Sequence, residues 1–265
     1  MWNVENKLYE KDLYINKGIE CIIGSQIYEY DIKQAGYNIT KYFKLLPEDK
    51  LKYLSSLSRE NKHIKIGLYQ RKSKEYREGL KEGFKKARKM FFEENNLNEE
   101  DIISIKKDAI FINKKISVRK FGNIEFVKKN VYSSYYYING LELYFSNKKK
   151  KIDVKGISDS LIKRHDGFML DFLIDIFTKN EHDPTLEESA ELLLEFAEEY
   201  KTKQLPIEFY REFNKTCAYK TNIEMNNGRQ IVYLDQIDEH NELVKTIDMR
   251  FNYLNVIMPL IRITF

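Results

Sequence analysis

Between Ser73 and Ile112 the hydrophobic period changes once, and that change limits the fold more than any other feature of the chain. Tyr76, Leu80, Phe84, Ala87 and Phe91 recur every third or fourth residue with Lys, Arg and Glu between them, the stripe of an amphipathic helix. Ser73 suits its N-cap and Asn95-Asn96 its stop. Ile102–Ile105 and Ala109–Ile112 then read as two strands around a tight turn carrying Asp108. A helix with one long apolar face must bury it, and a neighbouring hairpin offers the surface. The segment predicts a helix packed on an antiparallel sheet, an α+β arrangement.

Strand signals lie on both sides of this segment. Ile27–Asp31 reads as a strand ending in an aspartate. Ser117–Arg119, Ile124–Lys128, Tyr132–Ile138, Leu141–Phe145 and Ile152–Val154 read as further strands, with Asn139-Gly140 the clearest hairpin turn. Pro47 opens a short helix within the irregular helical stretch from Thr40 to Asn61. After Gly156 helical periods return. One helix runs from Leu161 to Ile176, with His165 on its apolar face. Another is begun by Asp183-Pro184 and reaches Tyr200, a third is opened by Pro206, and a fourth from Leu243 is stopped by Pro259. A boundary near 157 is expected, with a mixed domain over 1–157 and a helical region over 158–265.

The totals exclude several classes. With 265 residues, 42% of them apolar, the chain can bury a sizeable core. Its 45 Lys+Arg against 41 Asp+Glu leave a net charge of +4, which neither demands nor excludes a polyanionic partner. Cys21 and Cys217 form no CxxC pair, so neither a disulfide framework nor a zinc site is expected. The opening residues carry alternating charge without an apolar core, and no run approaches 18 apolar residues. The expectation is a cytoplasmic protein without a membrane partner. Abundant Lys, Asn, Ile and Tyr hint at an AT-rich genome.

An aspartate at a strand end, helices, a long helix and then an aspartate in a hairpin turn make a chemically useful order. Nucleotidyl transfer needs two Mg²⁺ ions close together, to activate the attacking 3′-hydroxyl and to stabilise the leaving pyrophosphate, and two-metal chemistry is what this order of carboxylates leads us to expect. Mg²⁺ prefers hard oxygen ligands, often one or two carboxylates completed by substrate phosphates and water. A strand end beside a hairpin turn would supply two such carboxylates on rigid supports. Taken singly, each aspartate has a plainer reading as a strand cap or a turn residue.

The residues also carry a resemblance. Tyr30-Asp31-Ile32-Lys33-Gln34-Ala35-Gly36-Tyr37-Asn38-Ile39 resembles motif A of family B DNA polymerases, D-x-x-S-L-Y-P-S-I, and the family A form D-Y-S-Q-I-E, where a Gln stands at the place of Gln34. Ser104–Phe111 resembles motif C, closest to the single-aspartate V-H-D form of family A enzymes and single-subunit phage RNA polymerases. Lys151-Ile152-Asp153-Val154-Lys155-Gly156 is similar to the K-x-K-G element at the palm–thumb junction of family B. The resemblance implies a polymerase-like palm with an antiparallel sheet and packed helices, a very short fingers segment at about 40–72, and a mainly helical thumb-like part. It implies Asp31 and Asp108 as catalytic ligands of Mg²⁺ or Mn²⁺. Arg71, Lys72 and Lys74 would meet nucleoside triphosphate, and Tyr135, Tyr137, Lys148, Lys149, Lys150, Lys151 and Lys155 would meet primer–template. Gly36 falls where family B enzymes carry a Tyr and family A enzymes a Glu against the ribose 2′-hydroxyl; single-subunit RNA polymerases resemble this chain there, also with Gly, which implies a site without a side-chain gate against ribonucleotides. Tyr37 is expected to point the other way from an extended segment.

The departures are equally specific. Ser104, Ile105 and Lys106 replace the tyrosine, glycine and first aspartate of the family B motif C, and 40–72 holds no K-x-x-x-N-S-x-Y-G pattern. The expected function is a template-directed nucleotidyltransferase, of phage or mobile-element origin. The alternative is a catalytically silent palm-like protein that binds nucleic acid or partner subunits.

Overall fold

The helix expected over 73–95 forms as Lys74–Glu94 (α4), and it organises the first of two units. In this computed structural model the described residues are 7–156, 166–183, 185–206, 209, 220–225, 228–233 and 254–264. One unit comprises Met1–Ile19 with Gln26–Val131, the other Glu20–Ser25 with Tyr132–Phe265.

The first unit contains a six-stranded sheet ordered β1-β4-β5-β3-β7-β6. Its strands are β1 (Leu13–Ile15), β3 (Ile27–Ile32), β4 (Ile102–Lys106), β5 (Ala109–Ile112), β6 (Lys120–Phe121) and β7 (Ile124–Tyr132). The β1–β4, β4–β5, β5–β3 and β6–β7 pairs are antiparallel. The strand expected at Ser117–Arg119 lies instead at Lys120–Phe121, and β7 runs on to Tyr132. Helices α1 (Ala35–Tyr42), α2 (Glu48–Ser56) and α3 (Arg59–Lys72) fill the interval between β3 and α4.

Helix α4 forms because Ser73 Oγ accepts from the Tyr76 N–H at 3.1 Å and because its stripe finds an apolar partner. Tyr76, Leu80, Phe84, Ala87 and Phe91 share one buried cluster with Tyr30, Ile32, Ile105, Ile110, Ile112 and Phe126. Phe91 stacks on Phe126 at 4.2 Å between ring centroids. At roughly 25 cal/mol per Å² of apolar surface, each of these aromatic burials stabilises by a few kcal/mol.

The second unit is not mainly helical from its start. Its four-stranded sheet, ordered β10-β9-β8-β2, joins β2 (Cys21–Ile22), β8 (Ser134–Ile138), β9 (Leu141–Ser146) and β10 (Lys151–Lys155). The β8–β9 hairpin turns at Asn139 and Gly140, both at positive φ, as the Asn-Gly pair requires. Tyr136, Phe145 and Ile152 share a core with helices α5 (Asp166–His182), α6 (Glu187–Thr202) and α7 (Leu254–Thr264), and Tyr136 stacks on Phe177 at 4.1 Å. The division between units therefore falls at 131/132 rather than near 157, because β8–β10 pack with the helices that follow them. A hairpin of β11 (Lys220–Met225) and β12 (Gly228–Tyr233) has no counterpart among the strands expected from sequence.

Two helix boundaries also differ. Helix α6 starts at Glu187, because Asp183 Oδ1 accepts from the Thr185 N–H in a local turn and Leu186 takes a left-handed conformation. Pro259 sits inside α7 rather than ending it. A proline frees the carbonyl four residues earlier, and that carbonyl, on Asn255, accepts from Asn139 Nδ2 at 2.7 Å. Several expectations fall outside the described residues: the helix start at Leu161 with His165, Pro184, most of the helix after Pro206, Cys217, and Leu243–Phe251.

Candidate active site

Strand register brings the two aspartates together. Asp31 pairs with Ala109 across β3–β5, and the Ile32 N–H donates to the Asp108 carbonyl at 3.1 Å. Tyr28, Tyr30 and Ile32 enter the cluster shared with α4, so strand alternation sets Glu29 and Asp31 on the other side of β3. The Asp31 side chain is 26% exposed. Its Oδ1 is buried without a hydrogen-bond partner, and its Oδ2 lies 3.4 Å from Lys129 Nζ. Burial holds the Asp31 carboxyl above the usual carboxylate range and the negative charge of Asp108 raises it further, while Lys129 opposes both.

Lys129 comes from β7 and also stands 3.5 Å from Glu29 Oε1. Asn130 Nδ2 donates to the other oxygen of Glu29 at 2.6 Å. Burial pulls the Lys129 ammonium down, but Glu29 and Asp31 together lift it above its ordinary value. Three carboxylates and one lysine thus share this end of the sheet.

The turn that presents Asp108 is held from behind. Lys106 pairs with Ala109, so the loop is the two residues Lys107 and Asp108. Lys107 adopts φ +59°, which costs a non-glycine residue on the order of 1 kcal/mol and persists only when its surroundings enforce it. They do so here. The Lys107 N–H donates to the Asp12 carbonyl at 2.7 Å, and the Lys107 carbonyl accepts from Arg88 Nη1 at 2.7 Å. Arg88 is fully buried on α4 and donates also to the Tyr9 carbonyl at 2.8 Å and to Asp12 Oδ1 at 2.9 Å.

Asp31 and Asp108 line a cleft of about 880 Å³. Gln34 before α1, Ala35, Gly36 and Tyr37 of α1, and Arg59, Glu60, Lys62, His63 and Gln70 of α3 line it too. Gly36 lies within helix α1, not in an extended segment, so alternation does not turn Tyr37 away and both residues line the cleft. A Cβ on Gly36 would approach Ile66 Cγ2 to 3.2 Å, which gives the glycine a packing reason where α1 meets α3. Lys62 Nζ stands 4.8 Å over the Tyr37 ring.

The remaining candidates lie elsewhere. Arg71, Lys72 and Lys74 are exposed at the far end of α3 and the start of α4, and the cleft takes Arg59, Lys62 and His63 instead. Tyr135 is fully buried against Tyr144 in the second unit, so it has no exposed ring with which to meet primer–template. Tyr137 is half-buried, and its N–H donates to the Glu20 carbonyl. Lys148 to Lys151 are exposed. Lys150 donates to Asn147 and Thr178, Lys151 pairs with Asp153 at 2.6 Å, and Lys155 is half-buried. Gly156 takes φ +95°, and a Cβ there would lie 2.3 Å from the Gly140 carbonyl oxygen, so the glycine of the K-x-K-G element is required locally.

Sequence reasoning passed over Lys129, Arg88, Arg59, Lys62 and His63. Arg88 left one signal, a charge four residues after Phe84 and three before Phe91 on an otherwise apolar stripe. Lys129 left none, because its pairing depends on the β3–β7 neighbourhood.

Among the described residues no group of three or more His, Cys, Asp or Glu side chains forms a ready metal cage, and no helix is long and apolar enough to cross a membrane. A divalent ion would therefore rest on Asp31 and Asp108 with outside ligands, and the buried, unpartnered Asp31 Oδ1 fits that donor set. A family model described as Bacteriophage PBS1 gene 130 protein matches residues 4–265. None of the curated proteins matches the chain.

Proposed function

We propose that this chain, which belongs to the Bacteriophage PBS1 gene 130 protein family, is a template-directed nucleotidyltransferase whose palm is the first unit. The observation that carries the reading is Asp31 Oδ1, buried without a partner beside Asp108 on the wall of a cleft that Arg59, Glu60 and Lys62 of α3 also line. A buried carboxylate oxygen left unpaired costs free energy, and a bound cation is one way to offset that cost. Divalent ions bound there would activate the attacking 3′-hydroxyl and neutralise the leaving pyrophosphate.

The chain's own residues then have definite roles. Asp31 on β3 and Asp108 in the β4–β5 turn would hold Mg²⁺ or Mn²⁺. Arg59, Lys62 and His63 face the negative charge of a nucleoside triphosphate, and Gln34 to Tyr37 shape the floor beneath its sugar. Arg88 and Asp12 hold the Asp108 turn so that its carboxylate need not reorganise during the reaction. Lys148, Lys149 and Lys150 offer the second unit a basic turn for the phosphates of primer–template, in salt-dependent fashion.

The test is primer extension on a single-stranded template with Mg²⁺ or Mn²⁺, deoxyribonucleotides and ribonucleotides being supplied separately. Extension that Asp31→Asn and Asp108→Asn each abolish, with melting temperature not lowered, is the expected result. Extension that persists in either variant would end this reading. The rival, a silent palm that binds nucleic acid, is favoured by the pairing of Asp31 with Lys129. It predicts nucleic-acid binding without extension, unchanged in both variants.

A further inference from the structure

A carboxylate has two oxygens, and those of Asp31 meet different surroundings. Oδ1 is buried and has no hydrogen-bond partner. Oδ2 faces the Lys129 ammonium at 3.4 Å, and the same ammonium stands 3.5 Å from Glu29 Oε1. Glu29 is itself held by Asn130 at 2.6 Å, and its side chain is only 5% exposed. One end of the sheet therefore gathers Glu29 and Asp31 on the ammonium of Lys129, with Asp108 in the neighbouring turn, and that cation belongs to the chain.

We infer that Lys129 is the built-in second cation of this site, so that Asp31 and Asp108 take one divalent ion and not two. The inference rests on the nucleotidyltransferase reading and refines its ion count. An ion at Oδ1 would meet a buried carboxylate oxygen that no hydrogen bond occupies, with Asp108 in the neighbouring turn. A second ion at Oδ2 would have to displace an ammonium already shared by two carboxylates. It would also stand a few ångström from that ammonium, where like charges repel strongly in a partly desolvated site. Lys129 supplies a fixed positive charge beside Asp31 without needing coordination geometry, and its half-exposed stem lets the head stay on the carboxylates. Its role is to complete the charge of the site and to set how many ions the site accepts.

The experiment counts Mn²⁺ bound to the full chain by the electron paramagnetic resonance of the free ion. Wild type, Lys129→Met, Lys129→Arg and Asp31→Asn are compared, with circular dichroism and thermal melts confirming that each is folded. The expected counts are one ion for wild type and Lys129→Arg, two for Lys129→Met, and a loss of binding for Asp31→Asn. Two ions in wild type, or one in both wild type and Lys129→Met, would overturn the role of Lys129 and leave the carboxylate site standing. No bound Mn²⁺ in folded wild type, or binding unaffected by Asp31→Asn, would overturn the carboxylate site and this inference with it.

Discussion

Asp31 ionises under two penalties, loss of water and the nearby charge of Asp108, and Lys129 offsets only part of them. The sign of the pH effect follows. A carboxyl whose pKa is raised by folding binds its proton more tightly folded than unfolded, so the folded state loses stability as pH rises from the ordinary value of 3.8 through the raised one. Above that window the penalty is fully present. Asparagine cannot ionise, and the Lys129 contact it would weaken is half-exposed on the lysine side and worth about 0–1 kcal/mol. In metal-free buffer Asp31→Asn should therefore melt higher than wild type at pH 7, with the gap closing below pH 3.8. A lower melting temperature at pH 7 would mark Asp31 as an ordinary structural aspartate. Arg88 behaves oppositely. Its removal leaves the Tyr9 and Lys107 carbonyls and the half-exposed Asp12 without their donor, so Arg88→Ala should destabilise by about 1–3 kcal/mol in chemical denaturation. A loss below about 1 kcal/mol would show that the turn does not depend on it.

Helix α4 and the β4–β5 hairpin were legible because each buries one face and so writes its period into the sequence. Helix α3 was not separated from its neighbours for the opposite reason. Only Ile66 is buried along it, while Ile64 and Leu68 are 58% and 38% exposed, so it shows no apolar stripe. The same contrast divides the site. Asp31 and Asp108 announce themselves through a strand end and a turn, which are local features. Lys129 meets Asp31 from 98 residues away, and Arg88 meets Tyr9, Asp12 and Lys107 from 79, 76 and 19, pairings that exist only once the elements have packed. Close packing between elements was equally silent. Gly83 of α4 would place a Cβ 2.4 Å from Ile39 Cγ2 of α1. Gly83→Ala gains about 1 kcal/mol of helix propensity, yet overpacking of this kind costs about 1–3 kcal/mol. The variant should be destabilised on balance, as thermal or urea unfolding would show. A stabilised Gly83→Ala would mean that α1 and α4 can separate freely.

At the scale of the whole chain, the two possible boundaries make opposite demands on the same three strands. A cut near 157 keeps β8, β9 and β10 with the first unit, although Tyr136, Ile138, Leu143, Phe145 and Ile152 pack into the core that α5, α6 and α7 complete. A cut after 131 leaves that core out altogether and keeps the whole cleft, since Asp31, Asp108, α3, Arg88 and Lys129 all lie before it. The first unit has its own buried cluster, and its length lies within the usual range for a domain that folds alone. A fragment of residues 1–131 should therefore melt cooperatively and retain Mn²⁺ binding. The β2 segment, which pairs with β8 in the full chain, would be left as a loop. A fragment of residues 1–157 should instead expose the apolar face of β8–β10, bind a hydrophobic dye and aggregate with concentration. Light scattering and dye fluorescence on the two fragments decide between the boundaries. A monomeric, dye-silent 1–157 beside an unfolded 1–131 would place β8–β10 with the first unit and restore the boundary that periodicity alone suggests.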